Sequence, residues 1–144
     1  MRGSRNRPYT SPHWVTDAWS AVTDDGWTLR GDLLLPEGPP RAVVVTTHAM
    51  MTDRRSMDRP AGQGLASTLA SRGFAVLNAD FRGHGESREA GRDYDLEAIA
   101  LHDVPALSAH ARRAFPGLPF FWVGHSLGSN AALITFGIFP EITP

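Results

Sequence analysis

Near the end of the chain a serine stands between two glycines, in Gly124-His125-Ser126-Leu127-Gly128. The spacing G-x-S-x-G does chemistry in one setting: a sharp turn from a buried strand into a helix, with the serine held strained at the strand's end. The flanks fit that setting, with Phe-Phe-Trp-Val at 120–123 before it and a helix-forming run, Asn-Ala-Ala-Leu-Ile-Thr-Phe at 130–136, after it. Glycine is needed at 124 and 128 because the crossing backbones leave no room for a Cβ. The turn lifts the Ser126 hydroxyl off the surface and sets it at a helix N-terminus, where the dipole favours developing negative charge. The amide of Leu127 then points at the reacting oxygen as one oxyanion donor. The competing reading is that Ser126 only caps the helix.

The remaining candidates are histidines and methionines. His48 closes the apolar run Ala-Val-Val-Val-Thr-Thr at 42–47, and His125 precedes the serine, where packing and turn shape are its expected role. His84 lies in a polar, glycine-rich loop and is expected to be exposed. His102 and His110 fall on a helical stretch and are expected to be solvated. His102 and Asp103 are adjacent on that helix and cannot face each other, so metal binding is rejected and no cofactor is implied. Met50 and Met51 are read either as lining an apolar acyl pocket or as ordinary core methionines.

Composition excludes several functions. The 144 residues carry a net charge of -1, which argues against a nucleic-acid or acidic-membrane partner. No cysteine is present, ruling out disulfides, thiolate zinc sites and a cysteine nucleophile. All 14 basic residues are arginine. No apolar run reaches membrane-spanning length, and the N-terminus lacks the apolar core of a secretory signal, so a cytoplasmic location is expected. Residues 1–16 read as a flexible arm and 17–144 as one incomplete domain.

The elements that position the serine follow from periodicity. Residues 17–22 read as an edge strand, Asp-Asp-Gly at 24–26 as a tight turn, and 27–36 as a strand with one wet face. A continuous, largely β-branched run at 42–48 and the apolar-rich stretches at 74–80 and 120–123 suit strands buried on both faces of a parallel sheet. Helices are expected at 64–73, at 96–115 with Pro105 kinking it or starting a second segment, and after Ser126. The order is two antiparallel strands, then strand–helix repeated three times, which argues for a doubly wound α/β sheet.

Three motifs occur in order: Val-Val-Val-Thr-Thr-His-Ala-Met, then Asp-Phe-Arg-Gly-His-Gly-Glu-Ser at 80–87, then the serine turn. With these, the chain resembles the N-terminal half of an α/β-hydrolase-fold serine hydrolase, from about Asp17 onward. The resemblance implies a mostly parallel sheet cut short after the elbow helix, and an esterase-like activity on a small ester through an acyl-Ser126 intermediate. It implies a second oxyanion donor from the amide of Met50 or Ala49 and a structural role for Asp80, Arg82 and Ser87. Ala49 departs from the family's usual glycine.

In this fold the acid and the histidine of the triad follow the serine in the chain. After Ser126 there is no histidine and no aspartate, and Glu141 is the one carboxylate. The expectation is therefore a truncated chain that lacks its base, with His48, on the neighbouring strand, as the substitute closest by topology. The alternative is a catalytically inactive half-module. The strand at 120–123 would have an unpaired apolar edge, a site for aggregation or for a complementing chain or homo-oligomer.

Overall fold

A computed structural model describes residues 14–144. Most of the arm expected at 1–16 lies outside them, but residues 14–16 do not belong to an arm. They begin β1 (Trp14–Val22), which is longer than periodicity suggested because its solvent-facing residues break the alternation. β1 pairs antiparallel with β2 (Thr28–Pro36), and Gly26 at φ 83° closes the turn between them.

β3 (Ala42–Thr47), β4 (Phe74–Asp80) and β5 (Phe120–Gly124) are the three apolar runs. The strand order is β1-β2-β4-β3-β5, with β3 parallel to both β4 and β5 and β2 antiparallel to β4. The sheet is thus mixed, and β5 lies at its edge beside β3, as the resemblance implied.

Alternation sorts the side chains to two faces. Val76 stands opposite Leu34 on one side and Val44 on the other. Leu34 and Val76 pack with Ala66 and Ala70 of α1 (Leu65–Ser71). On the other face Val43, Val45 and Leu77 pack against the helices that follow β4 and β5, around the fully buried Trp27 and Phe81.

The helix expected at 96–115 forms in three continuous pieces: α2 (Leu96–Ala98), a π turn (Ile99–Asp103) and α3 (Val104–Ala114). Proline explains the π turn. The amide of Val104 reaches back five residues to the Ile99 carbonyl. The next amide in that series would belong to Pro105 and would serve the Ala100 carbonyl, but proline has no N–H. The buried hydroxyl of Thr135, from α4 (Leu127–Ile138), lies 2.5 Å from that carbonyl and 2.8 Å from the Ala131 carbonyl of its own helix, and its one proton serves the two. The kink anticipated at Pro105 is therefore absorbed one turn earlier, and the freed carbonyl becomes a docking point for the helix that follows the serine. Thr135→Val keeps the shape and leaves a buried carbonyl unbonded. Chemical denaturation should show a loss of about 1–3 kcal/mol.

Candidate active site

β3 and β5 run parallel and adjacent, so the turns that follow them emerge at the same end of the sheet, where ligands bind in open α/β folds. Both turns are strained. Met51 and Ser126 are the two non-glycine residues with positive φ among the described residues, at 60° and 52°. Such outliers persist only where surrounding structure enforces them.

The enforcement at Ser126 is visible. The His125 amide donates to the Thr47 carbonyl at 3.0 Å, extending the β3–β5 ladder one residue past the strand. The amides of Ser129 and Asn130 then donate to the Ser126 carbonyl and start α4. A Cβ on Gly124 would fall on the backbone of Gly128 and Ser129; one on Gly128 would fall on the hydroxyl and carbonyl of Thr47. Ser126 is exposed, and its side chain makes no capping bond to α4. The helix-cap reading therefore leaves its geometry unexplained. The His125 side chain is exposed too, so this residue shapes the turn through its backbone alone.

A cleft of about 570 Å³ opens beside this turn, bounded by Met50, Met51, His84, Tyr94, Ile99 and Leu127, with Asp53, Arg88 and Asp95 among its polar walls. Met50 and Met51 are exposed and line it, which excludes the core reading for both. Among the described residues, the amides of Met50 and Leu127 donate to no loop carbonyl. Tyr94, Ile99 and the carboxylates of the cleft were missed from sequence. Tyr94, Asp95 and Ile99 come from residues 80–99, whose only signal was a polar glycine-rich loop and a helix start, and Asp53 comes from the loop after β3.

His48 is fully buried with both ring nitrogens engaged. Nδ1 lies 2.7 Å from the Ala49 carbonyl and must donate, since a carbonyl only accepts; Nε2 then accepts from the Phe81 amide at 3.1 Å. Burial lowers its pKa and holds the ring neutral. A ring locked this way has no lone pair for Ser126, so the substitute-base expectation fails.

The other histidines correct the sequence reading. His84 is buried, not exposed, because its loop folds inward over His48 and under Tyr94. His110 stacks on Trp19 at 5.0 Å, and desolvation lowers its pKa. His102 is half-buried and pairs with Asp24 at 2.6 Å. His102 and Asp103 do face opposite ways, Asp103 pointing inward to Arg82. Ligand atoms of Asp24, Asp25 and His102 fall within 4.8 Å of one another. Asp25, however, is held bidentately by Arg82, and Asp24 by His102.

The loop after β4 is a polar framework. Fully buried Asp80 accepts from the backbone amides of Arg54 and Glu86 and from the Arg54 guanidinium. Ser87 Oγ donates to the Asp80 carbonyl and accepts from the Arg30 amide. Arg82 binds Asp103 through its own amide and Nε, and Asp25 through both terminal nitrogens, at 2.7–2.9 Å. No helix among the described residues is long and apolar enough to cross a membrane.

Residues 38–138 match the family model described as serine aminopeptidase, S33. Curated relatives include a triacylglycerol lipase of Arabidopsis thaliana, 30% identical over 83% of this chain and 32% of its own length. The human monoglyceride lipase is 27% identical over 91% of this chain and 41% of its own. The chain thus spans a third to two-fifths of the length of these relatives. A solved esterase of Pyrococcus furiosus shares the fold at a TM-score of 0.69 and 22% identity, over 92% of this chain and 52% of that one.

Proposed function

The chain belongs to the S33 serine aminopeptidase family of α/β-hydrolases, and on that premise we propose that it carries the nucleophile and oxyanion half of a serine hydrolase acting on carboxylic esters. The observation that carries this reading is Ser126: exposed, at φ 52°, on a turn whose two glycines admit no Cβ, and without a capping bond. Ester cleavage is supported by the lipases and esterases among its relatives.

In the proposed reaction Ser126 Oγ attacks the ester carbonyl, the amides of Leu127 and of Met50 or Ala49 hold the oxyanion, and the alcohol leaves as the acyl-serine forms. Water then attacks the acyl-serine and frees the acid. The leaving alcohol needs the serine's proton, and a histidine must carry it. His48 is engaged on both nitrogens and no histidine is hydrogen-bonded to Ser126 among the described residues, so we propose that the base belongs to the part of its relatives' length that this chain does not span.

A second reading, a catalytically silent half-module completed by another chain, is favoured by the sheet edge. Among the described residues β5 pairs on one side only, and Phe121 of β5 and Leu133, Ile134 and Ile138 of α4 are exposed.

The test is intact-mass detection of a fluorophosphonate adduct, with and without added imidazole as an external base and with Ser126→Ala as control. Labelling is expected to stay at background in buffer and to rise with imidazole in the wild type alone. An adduct equal in Ser126→Ala, or none at any imidazole concentration, sinks the nucleophile assignment. Fast labelling without imidazole would place a base inside this chain.

A further inference from the structure

The cleft contains a polar group that the ester chemistry does not use. His84 Nδ1 lies 2.9 Å from the Arg82 carbonyl. A carbonyl cannot donate, so the proton sits on Nδ1, and in the neutral ring Nε2 is left as a bare acceptor. The side chain is only 7% exposed and its ring is packed between His48 at 4.9 Å and Tyr94 at 5.8 Å. No protein group bonds Nε2 among the described residues. Among the described residues, the buried side-chain polar atoms that lack both partner and solvent are Trp19 Nε1, Thr47 Oγ1 and Ser108 Oγ. Nε2 is not one of them: it keeps access to solvent, and the opening that the His84 ring lines is the cleft.

The packing fixes this acceptor. The Arg82 carbonyl that holds Nδ1 belongs to a residue clamped by Asp25 and Asp103. Gly83, at φ 72°, brings Tyr94 so close that a Cβ there would enter its ring. The imidazole therefore cannot swing away, and its tautomer is set from behind. The cleft it lines is mixed, with the apolar side chains of Met50, Ile99 and Leu127 and the polar groups of Asp53, Arg88 and Asp95. A preorganised acceptor discriminates by rejecting groups that leave it unpaired on desolvation.

We propose that His84 is a specificity-determining residue of the cleft: its Nε2 accepts a hydrogen bond from a hydroxyl group of the substrate, selecting hydroxyl-bearing esters over purely apolar ones. This rests on the ester-hydrolase reading for its role in turnover, but the binding preference does not depend on Ser126.

The test uses the 144-residue chain, uniformly labelled with ¹⁵N, and long-range ¹H–¹⁵N correlation of the His84 ring. The probes are 1-hexanol, which carries a hydroxyl donor, and hexyl methyl ether, which carries none. The free chain should show protonated Nδ1 and bare Nε2. Hexanol should move Nε2 upfield while the ether leaves it in place. His84→Asn keeps a donor for the Arg82 carbonyl and removes the acceptor at the Nε2 position, which the shorter amide oxygen does not reach. It should lower hexanol affinity roughly threefold to tenfold, the worth of one neutral hydrogen bond, without weakening the ether.

The same result is expected in Ser126→Ala, so loss of fluorophosphonate labelling and loss of hydroxyl selectivity are separate failures. An Nε2 resonance that answers both probes alike, or neither, overturns the assignment. A ring protonated on Nε2 in the free chain does so as well, and neither outcome depends on the variant folding.

Discussion

Arg82→Ala should destabilise the fold by about 3–5 kcal/mol at neutral pH, the loss expected when one partner of a buried ion pair is removed. Arg82 is 3% exposed and joins three segments that are far apart in the chain: the β1–β2 turn through Asp25, its own loop, and the π turn through Asp103. Its guanidinium also lies 5.0 Å over the Trp27 ring. Removing it strands the fully buried Asp103 carboxylate.

The pH dependence gives the mechanism away. Burial already pushes Asp103 up to about 6 in the presence of Arg82. Without the cation its folded pKa rises further above the ordinary value of 3.8. A raised carboxylate destabilises the fold once pH exceeds its unfolded pKa, and the penalty grows until pH passes the folded one. Asp25 works the same way from the other side. Arg82 holds it below the usual carboxylate range, a stabilisation present at neutral pH and lost as pH falls. Both effects make the cost of Arg82→Ala larger at pH 7 than near pH 4, where Asp103 is already protonated. Urea denaturation of both proteins at the two pH values reads the difference, and a pH-independent gap would show that lost packing alone is responsible. Arg82→Lys should rescue little: the backbone amide keeps its bond to Asp103, but a single ammonium cannot reproduce the planar fork that places Nε on Asp103 and both terminal nitrogens on Asp25.

Gly128→Ala is the second large effect, and it reaches the site directly. A Cβ there would overlap the Thr47 hydroxyl and stand 2.8 Å from the Thr47 carbonyl oxygen. Thr47 is fully buried in β3, the strand against which the serine turn is hung. The first turn of α4 must move out, at a cost of about 1–3 kcal/mol for overpacking of this kind. Because Ser126 and Leu127 lead into that turn, imidazole-dependent labelling of Ser126 should fall by more than stability alone explains, since a catalytic group displaced by about 1 Å loses on the order of 100-fold. Adding Thr47→Ala removes the hydroxyl but not the carbonyl, so the double variant should recover only part of either loss. Labelling that survives in a fully folded Gly128→Ala protein would mean the elbow tolerates the extra carbon.

The sequence alone determined the strand and helix order, the antiparallel hairpin, the buried parallel strands and the serine turn. These depend on short-range rules: apolar runs of strand length, a positive-φ glycine in a tight turn, and a G-x-S-x-G spacing between a strand and a helix. The family resemblance placed β5 beside β3, and the sequence showed that no histidine follows Ser126. Tertiary structure decided the rest, because the deciding partners are distant in the chain. Whether His48 could serve as a base depended on Phe81, 33 residues away, whose amide fills its second nitrogen. Whether Pro105 kinked its helix depended on Thr135, whose hydroxyl replaced the missing donor. His84 looked exposed because its neighbours in sequence are polar and glycine-rich; it is buried because His48 and Tyr94 close over it. Periodicity assigns a residue to a face of its own element, but whether a polar side chain is free or fully engaged depends on what the other elements bring to it.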